Sequence, residues 1–510
     1  MRLFNSLRNT FWNFIGQIIL IFAGLFMKRV LLQTVGIENI GLNYLFNDIV
    51  ILISIAELGL SGIIAYRLYD PLATGNEIKV KQIMDFFRKV YAFIGLIVIM
   101  LGFGLIPFLG YLVGETTLPY NYIIIVFVLF LIRSVEGYFF SYKQILIFAD
   151  QKGFIITVVD IFTSIIYTII SIIVLLYTKN FIYVIVFEII KKIINDIIII
   201  GIVNKQYPFI TKKDIKALEK LEIKMIIIDI KNAFISRMSK VVVRATDNIV
   251  ISIFLGISTT GIFANYALLF DTIVNLLYQL ITSIQASVGN LLVEEKREVI
   301  YSVLRKTTFI SFFMVSICGC CLLQLSTPFV ALWFGSKYTL AENIVWISVF
   351  NIFLHGTQLA IAQFADAGGL FEQNKKIDTM GCIINLILSI IGVALYGIVG
   401  VLIATFIAIA LELYLRIRLV FMEILNIDYS RYIKQILLYF MFFTIEVVAV
   451  WVIGKSIYIQ NPILEFVIYG FIAAIVPLII NIIVFRSSED FIYMIDIIKM
   501  FFNKIKNIKN

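Results

Sequence analysis

The sequence predicts an all-α integral membrane protein of about fourteen transmembrane helices, and three observations carry that prediction. Hydrophobic residues fill 61% of the 510 positions and charged residues only 15%, against about 45–50% and about 25% in soluble domains. Mean hydropathy is +1.00. Fourteen apolar stretches, each near the roughly 20 residues a helix needs to cross a hydrocarbon core, occupy almost the whole chain. Runs of this kind indicate helices, because only helices and closed barrels satisfy their backbone within lipid.

In order, the spans are 11–33, 43–67, 90–113, 120–147, 154–177, 181–203, 233–256, 262–288, 308–333, 343–370, 377–396, 398–420, 435–454 and 463–485. The first follows Arg2 and Arg8, as in a signal peptide. No small-residue cleavage site follows and Lys28-Arg29 interrupts the run, so an uncleaved span is expected. With the N-terminus placed inside, thirty Lys and Arg residues fall in inside segments and only Lys179, Lys337 and Lys455 in outside loops. The positive-inside rule therefore places both termini in the cytoplasm, and the net charge of +9 reflects this bias rather than nucleic-acid binding.

This divides the chain into an N-lobe (1–203), a cytoplasmic amphipathic linker (204–232), a C-lobe (233–422), two added spans (423–486) and a basic amphipathic tail (487–510). In the linker, Ile215, Leu218, Leu221 and Met225 are broken by lysines, the pattern of a helix lying on the membrane surface. The tail, with Lys499, Lys504 and Lys506, reads the same way. No outside connection is long enough to hold a sugar-polymerising domain, and no phosphate-cradling loop, HExxH helix or nucleophile elbow occurs. A non-enzyme is expected. Cys318, Cys320, Cys321 and Cys382 fit no metal site and suggest helix packing. The single histidine, His355, reads as a satisfied interior residue or a proton relay.

A repeat is visible at the first turn of each half. Gly36-Ile37 through Gly41 recurs as Gly256-Ile257 through Gly261, and the following Asn43-Tyr44 and Asp48 recur, slightly offset, as Asn265-Tyr266 and Asp271. Two six-span halves of the same orientation follow, the parallel-repeat arrangement of many carriers, with substrate between them.

Charges within the spans supply the candidate site. In the seventh span, Arg237, Lys240, Arg244 and Asp247 are spaced 3, 4 and 3 and share one face. From a start near Ala233, Arg244 lies about 16 Å in. Such depth is costly unless the group faces a wet cavity or a partner, so the stripe binds an anion or pairs with other helices. The first span offers Asn9, Asn13, Gln17, Gly24 and Lys28 near one side, with Arg29 beside them. The fourth has Arg133 and Glu136, and the sixth has Glu188, Lys191, Lys192, Asn195 and Asp196, each set able to cancel itself. Asp48, Glu57, Asp271 and Glu412 lack a local partner and are candidates for ion coupling or structural pairing, as is Asp247 if it does not neutralise Arg244.

The run Val35-Gly36-Ile37-Glu38, Asn43-Tyr44-Leu45-Phe46, Ile55-Ala56-Glu57-Leu58-Gly59-Leu60 and Leu68-Tyr69-Asp70-Pro71-Leu72-Ala73 resembles the opening pattern of the Wzx-type oligosaccharide flippases. These form the polysaccharide transporter branch of the multidrug/oligosaccharidyl-lipid/polysaccharide exporter superfamily. Asp150-Gln151-Lys152, Tyr207-Pro208, Thr246-Asp247-Asn248, Ala286-Ser287-Val288-Gly289-Asn290 and Asn385-Leu386-Ile387-Leu388-Ser389 extend the resemblance over residues 1–420. It implies a V-shaped bundle of two six-helix lobes, plus two C-terminal helices, in a bacterial cytoplasmic membrane. It also implies transfer of a polyprenyl-diphosphate-linked oligosaccharide to the outer leaflet, with polysaccharide polymerase and chain-length machinery as possible partners. Lys28, Arg29, Lys240, Arg244 and Arg133 are the expected diphosphate ligands; no cofactor or metal is expected beyond a coupling Na+ or H+. The alternative is a cation-coupled small-molecule exporter of the same fold.

Overall fold

Glycine and asparagine set where the helices start. In the computed structural model, α1 (Arg2–Val35) ends against Gly36, whose φ of +83° only glycine adopts readily, and α2 (Ile37–Ile53) begins at once. Asn76, Asn180 and Asn461 cap their helices by accepting from backbone N–H groups, Asn76 from Lys79 at 3.0 Å. The structure describes residues 2–54, 60–212, 218–282, 285–457 and 459–508. Their side chains are described except at 2–11, 13–15, 18, 141, 221, 228–229, 231–244, 285–287, 293, 498 and 501–508.

The remaining helices follow in order. They are α3 (Leu60–Ala73), α4 (Glu77–Leu105), α5 (Leu109–Val113), α6 (Tyr120–Phe140), α7 (Gln144–Ala149), α8 (Phe154–Thr178), α9 (Phe181–Gln206) and α10 (Lys220–Thr282). After these come α11 (Gln285–Glu294), α12 (Arg297–Trp333), α13 (Glu342–Ala367), α14 (Phe371–Tyr396), α15 (Ile398–Val420), α16 (Ser430–Ser456), α17 (Pro462–Phe485) and α18 (Glu489–Ile508). No strand occurs among the described residues.

A helix lies at each of the fourteen predicted spans, but ten among the described residues are long and apolar enough to cross a membrane by themselves. The differences have plain causes. The seventh and eighth spans are two helices, carried here under the one label α10, that meet at Gly256, whose φ and ψ are not helical. The second span is described as α2 and α3, with residues 55–59 between them outside the described residues, and α9 carries Glu188, Lys191, Lys192 and Asp196. The first span, α1, includes side chains that are not described.

By contacts the chain separates into two compact units, Met1–Gly261 and Ile262–Asn510. In the first, α1 packs on α8, α8 on α9, and α6 on both α4 and α9. One of its cores gathers Leu68, Phe87, Leu146, Ile199 and Val203, and takes in Leu218 and Ile226. From Lys220 the predicted linker continues helically into the seventh span; Leu218 and Ile226 are buried, Met225 is exposed, and Ile215 and the Leu221 side chain lie outside those described.

The second unit packs α14 on α15, α13 on α15, and α12 on α13 and α17. Its interior is strongly aromatic. Phe312 stacks on Tyr439 at 4.5 Å and Phe353 on Phe443 at 4.9 Å, contacts worth about 0.5–1.5 kcal/mol beyond area burial. The four cysteines are free.

The repeated turn has a structural counterpart within Met1–Gly261. Gly256 takes φ +80° and ψ 164°, nearly the conformation of Gly36 at φ +83° and ψ 177°. The two turns also pack on one another reciprocally. A Cβ on Gly41 would lie 2.2 Å from the Ile257 carbonyl oxygen, and one on Gly261 would lie 2.5 Å from that of Ile37. Glu38 fixes the neighbouring loop, accepting from Thr116 at 2.8 Å, from the Thr117 backbone at 3.1 Å and from Ser258 at 3.4 Å.

Candidate functional site

The polar face of α2 organises the candidate site. Tyr44, Asn47 and Asp48 fall at i, i+3 and i+4, so they share one side of the helix. Each meets a different helix. The ammonium of Lys28, from α1, lies 4.7 Å from the centre of the Tyr44 ring. Asn47 accepts from Arg133 of α6 through its side-chain oxygen. Asp48 accepts from Asn248 of α10 at 2.7 Å. Asn47 is itself aimed by donating to the Asn43 carbonyl at 2.6 Å. The Asn43-Tyr44 motif thus presents an aromatic face to the buried Lys28 and helps aim an amide oxygen at the half-buried Arg133.

Arg133 is the hub of a wider network. Its guanidinium covers the Phe130 ring at 4.3 Å and donates to Glu188 of α9 at 2.7 Å. Lys192 donates to the Arg133 carbonyl at 3.0 Å and lies 3.9 Å from a Glu136 oxygen. Lys191 pairs with Asp160 of α8 at 2.7 Å, and Gln144 donates to Asp196 at 2.5 Å. The pairings suggested by spacing are therefore corrected. Arg133 does not pair with Glu136 in its own helix, nor Glu188 with Lys191 or Lys192; the fourth and sixth spans exchange partners. A facing helix lets both sides bury their polar stripes together, which is how polar residues join helices in lipid.

This arrangement fixes what each candidate can do. The Arg133 side chain is 14% exposed and that of Glu188 36%. An incoming anion would therefore compete with Glu188 and Asn47 for the two terminal nitrogens. Lys28 is buried, at 9% exposure, while Arg29 is half-buried. The backbone of Arg237, Lys240 and Arg244 is helical in α10, and their side chains are outside those described, so the stripe lies beyond what the structure places. Asp247 is half-buried in the same helix; Asp271 and His355 are half-buried in the second unit. Glu57 lies outside the described residues.

Two features were missed by sequence reasoning. In the second unit Arg416 bonds Asp378 and donates to Asn374 at 3.2 Å, and Asn374 donates to Asp366 at 2.9 Å. The Arg416 and Asp378 side chains are only 5% and 9% exposed. From sequence, Arg416 counts among the cytoplasmic charges; the i, i+4 spacing of Asn374 and Asp378 was the available signal for a polar face awaiting a partner. Glu412, which has no partner close in sequence, accepts from Gln358 of α13 at 2.6 Å. The other missed feature is Asn47, an amide within an apolar helix whose importance shows only once Arg133 is seen beside it.

With this geometry in place, likeness to known proteins is informative about the fold. No protein-family model matches the sequence, and no curated protein matches it. Among solved structures, the chain is similar to the lipid II flippase MurJ in an inward closed conformation. The TM-score is 0.67 at 18% identity, over 93% of this chain and 98% of that one. It is also similar to an inward-facing multidrug resistance MATE family transporter of the MOP superfamily, with TM-score 0.62 at 12% identity over 78% and 93%. The MATE multidrug transporter DinF-BH gives 0.54 at 18% identity over 81% and 94%. At these identities the fold is what is shared: a multi-pass, all-helical membrane fold of the kind seen in MurJ and MATE proteins.

Proposed function

We propose that the protein is a flippase that carries a polyprenyl-diphosphate-linked oligosaccharide from the inner to the outer leaflet of a bacterial cytoplasmic membrane, for polysaccharide synthesis. The observation that carries this reading is the set of cations within the spans: Lys28 against Tyr44, Arg133 braced by Asn47, and the stripe of Lys240 and Arg244 on α10. A diphosphate is compact and doubly charged or more, and hydrocarbon excludes it. Charge-assisted hydrogen bonds from Lys and Arg in a low-dielectric interior offset that exclusion. Lys28, Arg29, Lys240 and Arg244 are the assigned diphosphate ligands. Arg133 joins them when the anion displaces Glu188. Asp48, Asp247 and Asp271, with Glu57, serve coupling-ion binding or pairing. The likeness over nearly the whole length of MurJ, a lipid II flippase, supports this reading.

Alternating exposure of such a site would move the head group while the prenyl chain stays in lipid. Transport of this kind requires no catalytic residue. The second reading, a small-molecule exporter, draws on the MATE likenesses. It predicts an interior selective for organic cations, which the Lys and Arg within the spans disfavour.

The test is made in cells. Arg244→Ala or Lys28→Met, at normal protein level, should cause lipid-linked oligosaccharide to accumulate on the cytoplasmic side and surface glycan to fall at least tenfold, since a hydrogen bond to a charged group contributes about 1.5–3 kcal/mol. Unchanged surface glycan in both variants would refute the assignment. Dye efflux by the wild type, with no lipid accumulation in either variant, would favour the exporter.

A further inference from the structure

Glu446 lies near the middle of α16 and is fully buried, at 0% exposure, as is Asn481 of α17. Neither carboxyl oxygen of Glu446 has a hydrogen-bond partner, and neither has the side-chain oxygen of Asn481. The Ser316 hydroxyl of α12 faces the Glu446 carboxyl. That hydroxyl donates to the Phe313 carbonyl at 3.1 Å and accepts from the Asn481 amide at 2.8 Å. Phe443, one turn before Glu446, packs against Gly319 so closely that a Cβ there would lie 2.8 Å from its ring. The seam of α12, α16 and α17 is therefore tight. Among the described residues the Cys320 thiol is the titratable group facing Glu446, and no cation does so.

An ionised carboxylate in such a place is strongly disfavoured when no cation answers it. A single proton removes the charge, and the hydrogen-bond inventory accepts it. A hydroxyl has one donor and two acceptor lone pairs. Ser316 gives its donor to Phe313 and one lone pair to Asn481, which leaves one lone pair for a carboxylic O–H. A metal ion would need several converging oxygens, whereas Asn481 turns its nitrogen toward Ser316.

We propose that Glu446 is a proton-binding site, holding its proton in a hydrogen bond to the Ser316 hydroxyl and releasing it to water only when the seam of α12, α16 and α17 opens. The C-terminal helix pair is then an element whose packing is linked to protons. This does not depend on what the protein transports.

Infrared difference spectroscopy of the purified full chain in liposomes tests it. At neutral pH the wild type should show the carbonyl band of a protonated buried carboxyl, and Glu446→Gln should lose it. Ser316→Ala should shift that band as its acceptor disappears. The thermal transition supplies a second readout. As pH rises, the wild type should lose stability relative to Glu446→Gln, because only the wild type has a proton to give up. A band unchanged by Glu446→Gln would overturn the proposal. So would a wild-type band abolished by adding Na+, which would make this a metal-ion site. If Glu446→Gln fails to fold, the Ser316→Ala band shift decides alone, and an unshifted band refutes the site.

Discussion

Within Met1–Gly261 one set of ion pairs bridges α6, α8 and α9 and keeps one side chain of each pair partly open, Glu188 at 36% beside Arg133 at 14% and Lys192 at 40% beside Glu136 at 5%. Within Ile262–Asn510 the described interior is aromatic, and its pair of Arg416 and Asp378 is sealed at 5% and 9%. The difference separates two uses of buried charge. Partly open pairs keep enough access to exchange partners with a ligand, whereas a sealed pair can only hold helices together. On the proposed function the first unit handles the anion and the second supplies rigidity, with the Glu446 seam as its one proposed titrating element.

The most severe way to break this contrast is to open the sealed pair. Arg416→Ala should destabilise the protein by about 3–5 kcal/mol, because Asp378 is left buried and unpaired. Thermal unfolding in detergent reads this directly. A loss below about 1 kcal/mol would mean the pair behaves as a solvated one.

The reciprocal glycine contacts come next. Gly41→Ala and Gly261→Ala should each cost about 1–3 kcal/mol by overpacking against a carbonyl that has no room to retreat. Gly24→Ala is the control, since nothing lies within 4 Å of its added Cβ. Equal melting temperatures for all three would contradict the packed repeat.

The open network should respond more gently. A double-mutant cycle of Arg133→Ala with Glu188→Gln should give a coupling of about 1 kcal/mol, within the usual range for contacting residues. If Arg133 instead couples to Glu136, the partner exchange is wrong and the pairing within one helix stands.

An effect that depends on pH lies at the end of α9. There the Tyr207 hydroxyl donates to Asp150, and burial together with that carboxylate pushes the phenol well above its ordinary value. The folded form thus keeps its proton where the unfolded chain loses it, near pH ~10. Stability from this group is complete below that pH and declines as pH rises further. Tyr207→Phe should cost about 1–2 kcal/mol at neutral pH and reduce the alkaline decline of the melting temperature.

The helices were legible because apolar runs near twenty residues long admit few alternatives in lipid. The repeat was legible because a backbone at φ near +80° calls for glycine, so Gly36 and Gly256 mark the same turn. Partner choice was not legible: an i, i+3 spacing such as Arg133 and Glu136 permits an internal pair but says nothing of the acid a neighbouring helix offers. Glu446 escaped notice for the opposite reason. One acid in a long apolar run leaves the run's character unchanged, and only the packing of α12 and α17 around it shows the missing partner.

The central claim is that the interior cations of the first unit and α10 hold a diphosphate. Its most direct test is flipping of a fluorescent polyprenyl-diphosphate-linked oligosaccharide in proteoliposomes by purified wild type and Lys28→Met. The account predicts flipping by the wild type, at least tenfold slower flipping by a folded Lys28→Met protein, and little transport of a cationic dye by either. Equal lipid flipping by both proteins, or dye transport without lipid transport, would contradict it.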